Sequence, residues 1–430
     1  MSDLMPKGWI TVKVGDAVVS ANGGVSVNSE NRLKNINEFG ILKTSSVFNG
    51  GFNPLEHKTI LPHEVTRASV KPKKNHIIFS RMNTPALVGQ SGFVDRDYDD
   101  LFLPDRLWQI EVSETFNSKW LSYALRSQEV AKLITDAATG TSNTMKNIAK
   151  SNLMAISILR PPLPEQKKIA AILTSVDDVI EKTQAQIDKL KDLKTGMMQE
   201  LLTRGVGVNG KPHTEFKDSP VGRIPKGWDV EKLGGKASLI PGFAFKSSDF
   251  VANGVPLIRM GNLYNNKLDL TRAPKYLPSD YIEKHPKFAV REGDIVFSMT
   301  GTSGKEDYGF AVQVPNGAKP CLLNQRVAKV IAGENAVNNY LLHLMRSRLF
   351  LDEIYAVGTG TKQANLSSAN ILNVVLPFPS LGEQTAISKA LDSIDSRVLV
   401  VAKKLEKLKF KKKALMQDLL TGKKRVKVGS

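Results

Sequence analysis

The chain has 430 residues, 41% of them hydrophobic, and carries 60 Lys or Arg against 42 Asp or Glu, a formal charge of +18. That length exceeds one ordinary domain, that apolar content excludes general disorder, and that excess of base points to a polyanionic partner, nucleic acid first. A single cysteine, Cys321, excludes an internal disulfide and a cysteine-held zinc, and no apolar run reaches the roughly eighteen residues of a membrane span, so the chain reads as cytoplasmic.

Residues 1–160 read as one mixed domain. After Pro6-Lys7-Gly8-Trp9, the stretches Val12 to Ser20, Ile41 to Thr44, Ile77 to Arg81 and Leu107 to Val112 read as strands bounded by Gly, Asn and Pro, and Ser118 to Ala138 reads as a helix. Asp95, Asp97, Asp99, Asp100 and Asp105 form an acidic cluster. The Pro104-Asp105 pair leads to Glu111-Val112-Ser113, with Ser where a nuclease of that kind carries Lys, so the cluster reads as a surface loop.

Residues 161–207 read as a long amphipathic helix. Ile169, Ile172, Val176, Val179, Ile187, Leu190, Met197 and Leu201 recur at steps of three and four, Pro164 and Glu165 suit its start and Gly205 its stop. About 38 residues at ~1.5 Å each make a rod of roughly 57 Å, which has no core of its own and needs a partner helix. Residues 208–222 are polar and rich in Gly and Pro, a linker.

The partner helix lies in the same chain, at 380–425, and superposes on the first at a constant shift: Glu165-Gln166 falls on Glu383-Gln384, Asp177 on Asp395, and Met198-Gln199 on Met416-Gln417. Its seam is Ile387, Leu391, Ile394, Val401, Leu405, Leu408, Leu415 and Leu419. Both helices take a four-residue step, Thr183 to Ile187 and Val401 to Leu405, where a heptad asks for three. The midpoints fall near Thr183 and Val401. The domain repeats as well: residues 223–379 open on Pro225-Lys226-Gly227-Trp228, Ile77-Ile78-Phe79-Ser80 returns as Ile295-Val296-Phe297-Ser298, and Val337 to Val357 reads as a helix like Ser118 to Ala138. The expected fold is therefore two pseudo-symmetric α/β (α+β) copies joined by two long antiparallel coiled-coil helices.

Catalytic signatures are missing. The only Asn-Pro, Asn53-Pro54, is followed by Leu55 and the only Pro-Pro, Pro161-Pro162, by Leu163, so no methyltransferase tetrad is present. Neither Gly304-Lys305 nor Gly235-Lys236 has the Gly five residues upstream that a phosphate-cradling loop needs. The six histidines show no paired spacing on a helix, so neither a metal nor another cofactor is expected.

Leu159 to Ala170 (LRPPLPEQKKIA), Leu376 to Ile387 (LPFPSLGEQTAI), Met197 to Gly205 (MMQELLTRG), Leu415 to Lys423 (LMQDLLTGK), Ile240 to Phe250 (IPGFAFKSSDF) and Gly358 to Ser367 (GTGTKQANLS) resemble the specificity subunits of type I restriction and modification enzymes over nearly the whole chain. The first domain departs by lacking a clear counterpart of GFAFKS. The resemblance implies two target recognition domains, each reading half of a bipartite double-stranded DNA sequence, with the helices as spacer. It also implies partners: two methyltransferase subunits, which bring S-adenosylmethionine, and restriction and translocase subunits within the complex. Candidate DNA-contacting residues are Lys43, Lys71, Lys73, Lys74, Arg81, Asn83, Asn143 and Lys146 in the first copy. In the second they are Arg259, Asn262, Lys305, Asn324, Gln325, Arg326, Lys362 and Gln363. The competing reading is a stand-alone duplicated DNA-binding regulator.

Overall fold

A computed structural model describes residues 6–142, 145–207, 211–357 and 363–427. In chain order its helices are α1 (Ser118–Leu125), α2 (Gln128–Ala137), α3 (Lys150–Ala155), α4 (Leu163–Arg204), α5 (Tyr281–Lys284), α6 (Asn338–Met345), α7 (Arg348–Val357), α8 (Ser368–Leu372) and α9 (Leu381–Leu420). The chain divides into two compact units. The first comprises Met1–Gln184 with Lys403–Ser430, and the second comprises Ala185–Ala402. Each unit thus contains one head, half of α4 and half of α9.

In the first unit a four-stranded antiparallel sheet runs Val18–Gly23, Leu107–Val112, Ile77–Ser80, Ser91–Phe93, and a second sheet contains a parallel pair, Gly40–Leu42 with Leu101–Phe102. The second unit repeats the first sheet as Ala237–Pro241, Val327–Ala332, Ile295–Ser298, Ala311–Gln313, and the parallel pair as Val255–Ile258 with Cys321–Leu323. Burial on both faces explains the unbroken apolar runs Ile77-Ile78-Phe79 and Ile295-Val296-Phe297, all fully buried. Cys321 is among the buried residues, and burial pushes its thiol up to about 11, as an unreactive core cysteine requires.

Each head is closed by a strand pair that brings its two ends together: Ile10–Lys13 with Ser157–Arg160, and Asp229–Lys232 with Val375–Phe378. The first long helix therefore starts beside the residue that opens its head, and the buried Trp9 donates its indole N–H to Glu165 at 3.0 Å. Trp228 does the same to Glu383 at 2.9 Å. Gln166 takes the Asn117 amide at 2.9 Å and Gln384 the Val337 amide at 2.8 Å, which ties the start of α4 to the start of α1 and the start of α9 to the start of α6. The Glu-Gln pairs shared by the two copies are thus buried joints.

The half-helices run antiparallel within each unit. Moving along α4 from Glu165 to Asp177 moves the ion-pair partner back from Arg425 to Lys412, at 2.8 and 2.5 Å. In the second unit Lys194 meets Asp395 at 2.6 Å, the equivalent of the Asp177–Lys412 pair. Burial lowers the Lys194 ammonium from its ordinary pKa, against the pull of the Asp395 carboxylate. Both helices stop at a glycine in the left-handed region, Gly205 at φ +72° and Gly422 at φ +74°.

Several elements differ from the sequence reading. Val12 to Ser20 is two strands parted by a 3-10 turn, Val14–Ala17, whose Val14 and Ala17 are buried. The helices expected over 118–138 and 337–357 each break at an Arg-Ser pair, because Ser127 caps the start of α2 and the Ser347 hydroxyl turns back to Leu344. The seam also differs from a heptad list. Ile169 belongs to the core of the first head, as do Leu173, Leu419 and Leu420, and Ile387 and Leu391 belong to that of the second. Ile187, Ile394 and Leu405 are buried, while Ile172, Val176, Leu190, Met197, Leu201, Val401, Leu408 and Leu415 are half-buried. Val179 is 43% exposed, and the inward position beside it is held by Thr183, whose hydroxyl is satisfied by the Val179 carbonyl at 2.7 Å. A threonine can be buried there because the helix itself accepts its proton.

Candidate nucleic-acid interface

A parallel strand pair has both carboxyl ends on one side, and in the second unit the residues leaving Val255–Ile258 and Cys321–Leu323 are Arg259 and Asn324. The Asn324 amide donates to the Ile258 carbonyl at 3.0 Å. The next residues join a second edge: the Met299 amide donates to Arg326 O at 3.0 Å, and Thr300–Thr302 pairs with Gln363–Asn365, Thr302 opposite Gln363. Lys305 follows in the turn closed by its amide on Thr302. Arg259, Asn324, Gln325, Arg326, Lys305 and Gln363 are therefore brought onto one loop cluster at one end of the sheets.

Within that cluster the side chains differ in freedom. Gln325, Arg326 and Lys305 are exposed, and among the described residues they make no side-chain hydrogen bond or ion pair. Arg259 is half-buried and spends one nitrogen on Ala273 O at 2.7 Å. Asn262 is 3% exposed and its amide is consumed: it takes the Arg259 amide and donates to Asp269 O and Arg272 O, each at 2.9 Å. Asn262 therefore braces a loop: both of its amide donors are used and the side chain is buried, which suits positioning the loop more than reading a base edge. Lys362 lies outside the described residues.

The first unit has the same layout. Lys43 leaves Gly40–Leu42 and caps a 3-10 turn, and Arg81 leaves Ile77–Ser80 with its amide on Arg106 O at 3.1 Å, as Met299 sits on Arg326. The Arg81 guanidinium donates to Asp105 O at 2.7 Å and stands 5.8 Å over Trp108. Asn83 is opposite Lys146 in a strand pair, so these candidates meet, but both have duties in the fold. Asn83 is buried and accepts the Thr84 amide at 2.9 Å, and the Lys146 ammonium is 3.0 Å from Thr135 O. Both candidates therefore also hold the fold together, and the Lys146 ammonium keeps two further donors. Asn143 lies outside the described residues.

Lys71, Lys73 and Lys74 stand apart from this end. They precede the strand Ile77–Ser80, whose four residues at ~3.3 Å each set them about 13 Å from Arg81. Lys71 lies over the Phe102 ring at 5.4 Å. The backbones of Lys73 and Lys74 are pinned, their amides on Gln109 and Asp97 at 2.8 Å, while both side chains are exposed. A fixed backbone with a free ammonium is suited to a phosphate. The acidic cluster acts as bracing: Asp97 caps Lys74, Asp100 pairs with Lys34 at 2.5 Å and Asp105 takes the Ser26 hydroxyl. Among the described residues no group of three or more His, Cys, Asp or Glu could hold a metal.

Arg106 was missed. It is exposed and occupies the place of Arg326, and the duplication itself was the signal, since the two follow equivalent strands. The Ile240–Phe250 motif builds an aromatic group in which Phe243, 42% exposed, lies 5.0 Å from Phe245 and 5.1 Å from His285.

Comparison with known proteins agrees with this layout. Residues 6–192 and 225–409 each match the family described as the type I restriction modification DNA specificity domain. The chain is 34% identical to the type I restriction enzyme MjaVIII specificity subunit of Methanocaldococcus jannaschii over 72% of its own length and 70% of that protein's. It is 25% identical to the EcoKI specificity subunit of Escherichia coli K12 over 47% of this chain and 43% of that one. The crystal structure of an S subunit from M. genitalium has the same fold, with a TM-score of 0.60 at 15% identity, over 98% of this chain and 97% of that one. With two matches that together span most of its length, the chain belongs to the family of type I restriction-modification DNA specificity subunits.

Proposed function

We propose that each unit reads one half of a split DNA sequence, that α4 and α9 set the unread gap between the halves, and that the chain brings methyltransferase subunits, and through them restriction and translocase subunits, to that site. The duplication carries this reading: one scaffold occurs twice with different residues on equivalent loops, Arg81 and Met299 among them, as two different half-sites require. A repeated fold also suits the dyad of duplex DNA. As a family member the chain is a non-catalytic recognition subunit, and the stand-alone regulator is disfavoured. Among the described residues no helix is long and apolar enough to cross a membrane.

The test is a domain exchange. Replacing residues 1–158 with the matching domain of a relative, in a complex with methyltransferase subunits, should change one half of the methylated motif and leave the other intact. Methylome sequencing reads the result, and a change in both halves would end the modular reading.

A smaller effect separates positioning from reading. Lys73→Ala with Lys74→Ala should weaken DNA binding across all sequences and lower the salt slope by about 2, because two phosphate contacts release about 0.9 counterion each. Titrations at three salt concentrations on target and scrambled duplexes measure it. Loss confined to one base at one position would make these residues readers.

A further inference from the structure

Strand register puts one residue of each head at the same place beside its reading loops. Gly23 faces Trp108 and Pro241 faces Ala328, and Trp108 and Ala328 are each the second residue of an inner strand, Leu107–Val112 or Val327–Ala332. Two residues further on stand Val25 in the first head and Phe243 in the second. The sequence of the first head has no clear counterpart of the Ile240–Phe250 motif, yet its Gly24-Val25 occupies the place of Gly242-Phe243. At each place the glycine permits a close approach: a Cβ on Gly24 would run into the main chain of Leu103, and one on Gly242 into those of Leu323 and Asn324.

The tip so formed lies against the loop that carries the arginine. The Phe243 amide donates to Leu323 O at 3.0 Å, and Phe243 bridges to Asn324, two positions before Arg326. In the first head Ser26, which follows Val25, donates its hydroxyl to Asp105, the neighbour of Arg106. Both arginines are exposed, and both tips are exposed and apolar, Val25 at 36% and Phe243 at 42%. Isolated exposed apolar side chains are ordinary. Here, however, an apolar residue holds the same register position in both heads while its identity changes, as a contact to two different half-sites requires. The shape of each tip is also preset: valine is stiff through its branched Cβ, and the Phe243 ring is braced by Phe245, His285 and Phe288 at 5.0, 5.1 and 5.3 Å.

We infer that Phe243 and Val25 are specificity residues, each resting against the C5 methyl group of one thymine in the major groove, beside the group that the neighbouring arginine takes. This rests on the half-site reading above. Thymine is the base whose major-groove edge carries a methyl group, so it is the one that an apolar tip can recognise; the other edges offer donors and acceptors that valine and phenylalanine cannot answer. The degree of exposure separates a resting contact from an inserted one. A wedge that unstacks bases has to stand clear of the surface, whereas more than half of Phe243 and of Val25 is already covered by the protein.

The experiment uses the full chain in complex with the methyltransferase subunit of its own system, and duplexes carrying the motif returned by methylome sequencing. Each thymine is replaced in turn by deoxyuridine, which removes the methyl group and keeps every hydrogen-bonding atom. Competition titrations of the wild type should show about fourfold weaker binding at one thymine in each half, the worth of one buried methyl group. Phe243→Ala should abolish that difference in the half that the domain exchange assigns to the second head and leave it intact in the other, and Val25→Ser should do the reverse. The uridine scan of the wild type needs no variant to fold, so a half in which no thymine responds, or which holds no A·T pair, overturns the assignment of its tip. Equal weakening of thymine and uridine duplexes by Phe243→Ala would also overturn it, in favour of a contact that does not read sequence. If the wild-type complex bound target and scrambled duplexes alike, the half-site reading itself would fail, and this contact with it.

Discussion

Glu383→Ala should lower the melting temperature of the second unit by about 10 °C. The Glu383 carboxylate, 7% exposed, accepts the Trp228 indole at 2.9 Å on one oxygen, and His213 at 2.8 Å with the Val206 and Gly207 amides at 3.1 Å on the other. Deleting it leaves buried donors that the main chain cannot turn toward water, a loss of about 3–5 kcal/mol. For a body of this size each kcal/mol moves the midpoint by about 2–4 °C. Glu165→Ala should cost less. Its partners are Trp9 and Arg425, and the Arg425 side chain is 45% exposed and can rehydrate. The space is equally tight from the other side: a Cβ on Gly205 would lie 2.2 Å from Glu383 Oε1. Calorimetry of both variants checks the order, and a Glu383→Ala midpoint within 2 °C of wild type would show that the carboxylate does not fasten the head.

The helices were legible because an amphipathic period and a gapless repeat are local signals that neither depends on distant contacts. The joint was only half legible. Pro-Lys-Gly-Trp and Glu-Gln each stood out, but Trp9 and Glu165 are 156 residues apart, and only the closing strand pair makes them neighbours. The helix breaks at Ser127 and Ser347 were hidden, since neither Gly nor Pro marks them and the apolar pattern continues across both. Among the candidate readers, composition could not separate Asn262, whose amide donors are both taken by its own loop, from Gln325, whose amide makes no hydrogen bond among the described residues. That difference lies in the loop path and not in the residue type. Val179 and Thr183 show the same limit inside a helix: hydropathy ranks valine inward, whereas a buried threonine bonded to its own helix loses little.

Lengthening both long helices by seven residues should lengthen the gap between the two halves of the target by about two to four base pairs. The ion pairs locate where to insert. The pairs Asp177–Lys412 and Lys194–Asp395 are related by the repeat, so the point midway between them lies just after Ala185 on α4 and just after Lys403 on α9, a little beyond the midpoints near Thr183 and Val401 that length alone suggests. Insertions at those two points leave every pair inside each unit in place, and a seven-residue unit keeps the apolar period. Seven residues at ~1.5 Å add about 10 Å, or about three base pairs at ~3.4 Å, for a rod parallel to the duplex. Two turns of a straight helix need slightly more than seven residues, so the heads also rotate by about 20° and some activity should be lost. Methylation of duplexes that differ only in spacer length is the measurement. A folded, active variant that still preferred the original spacer would show that the length of α4 and α9 does not set the distance between the reading heads.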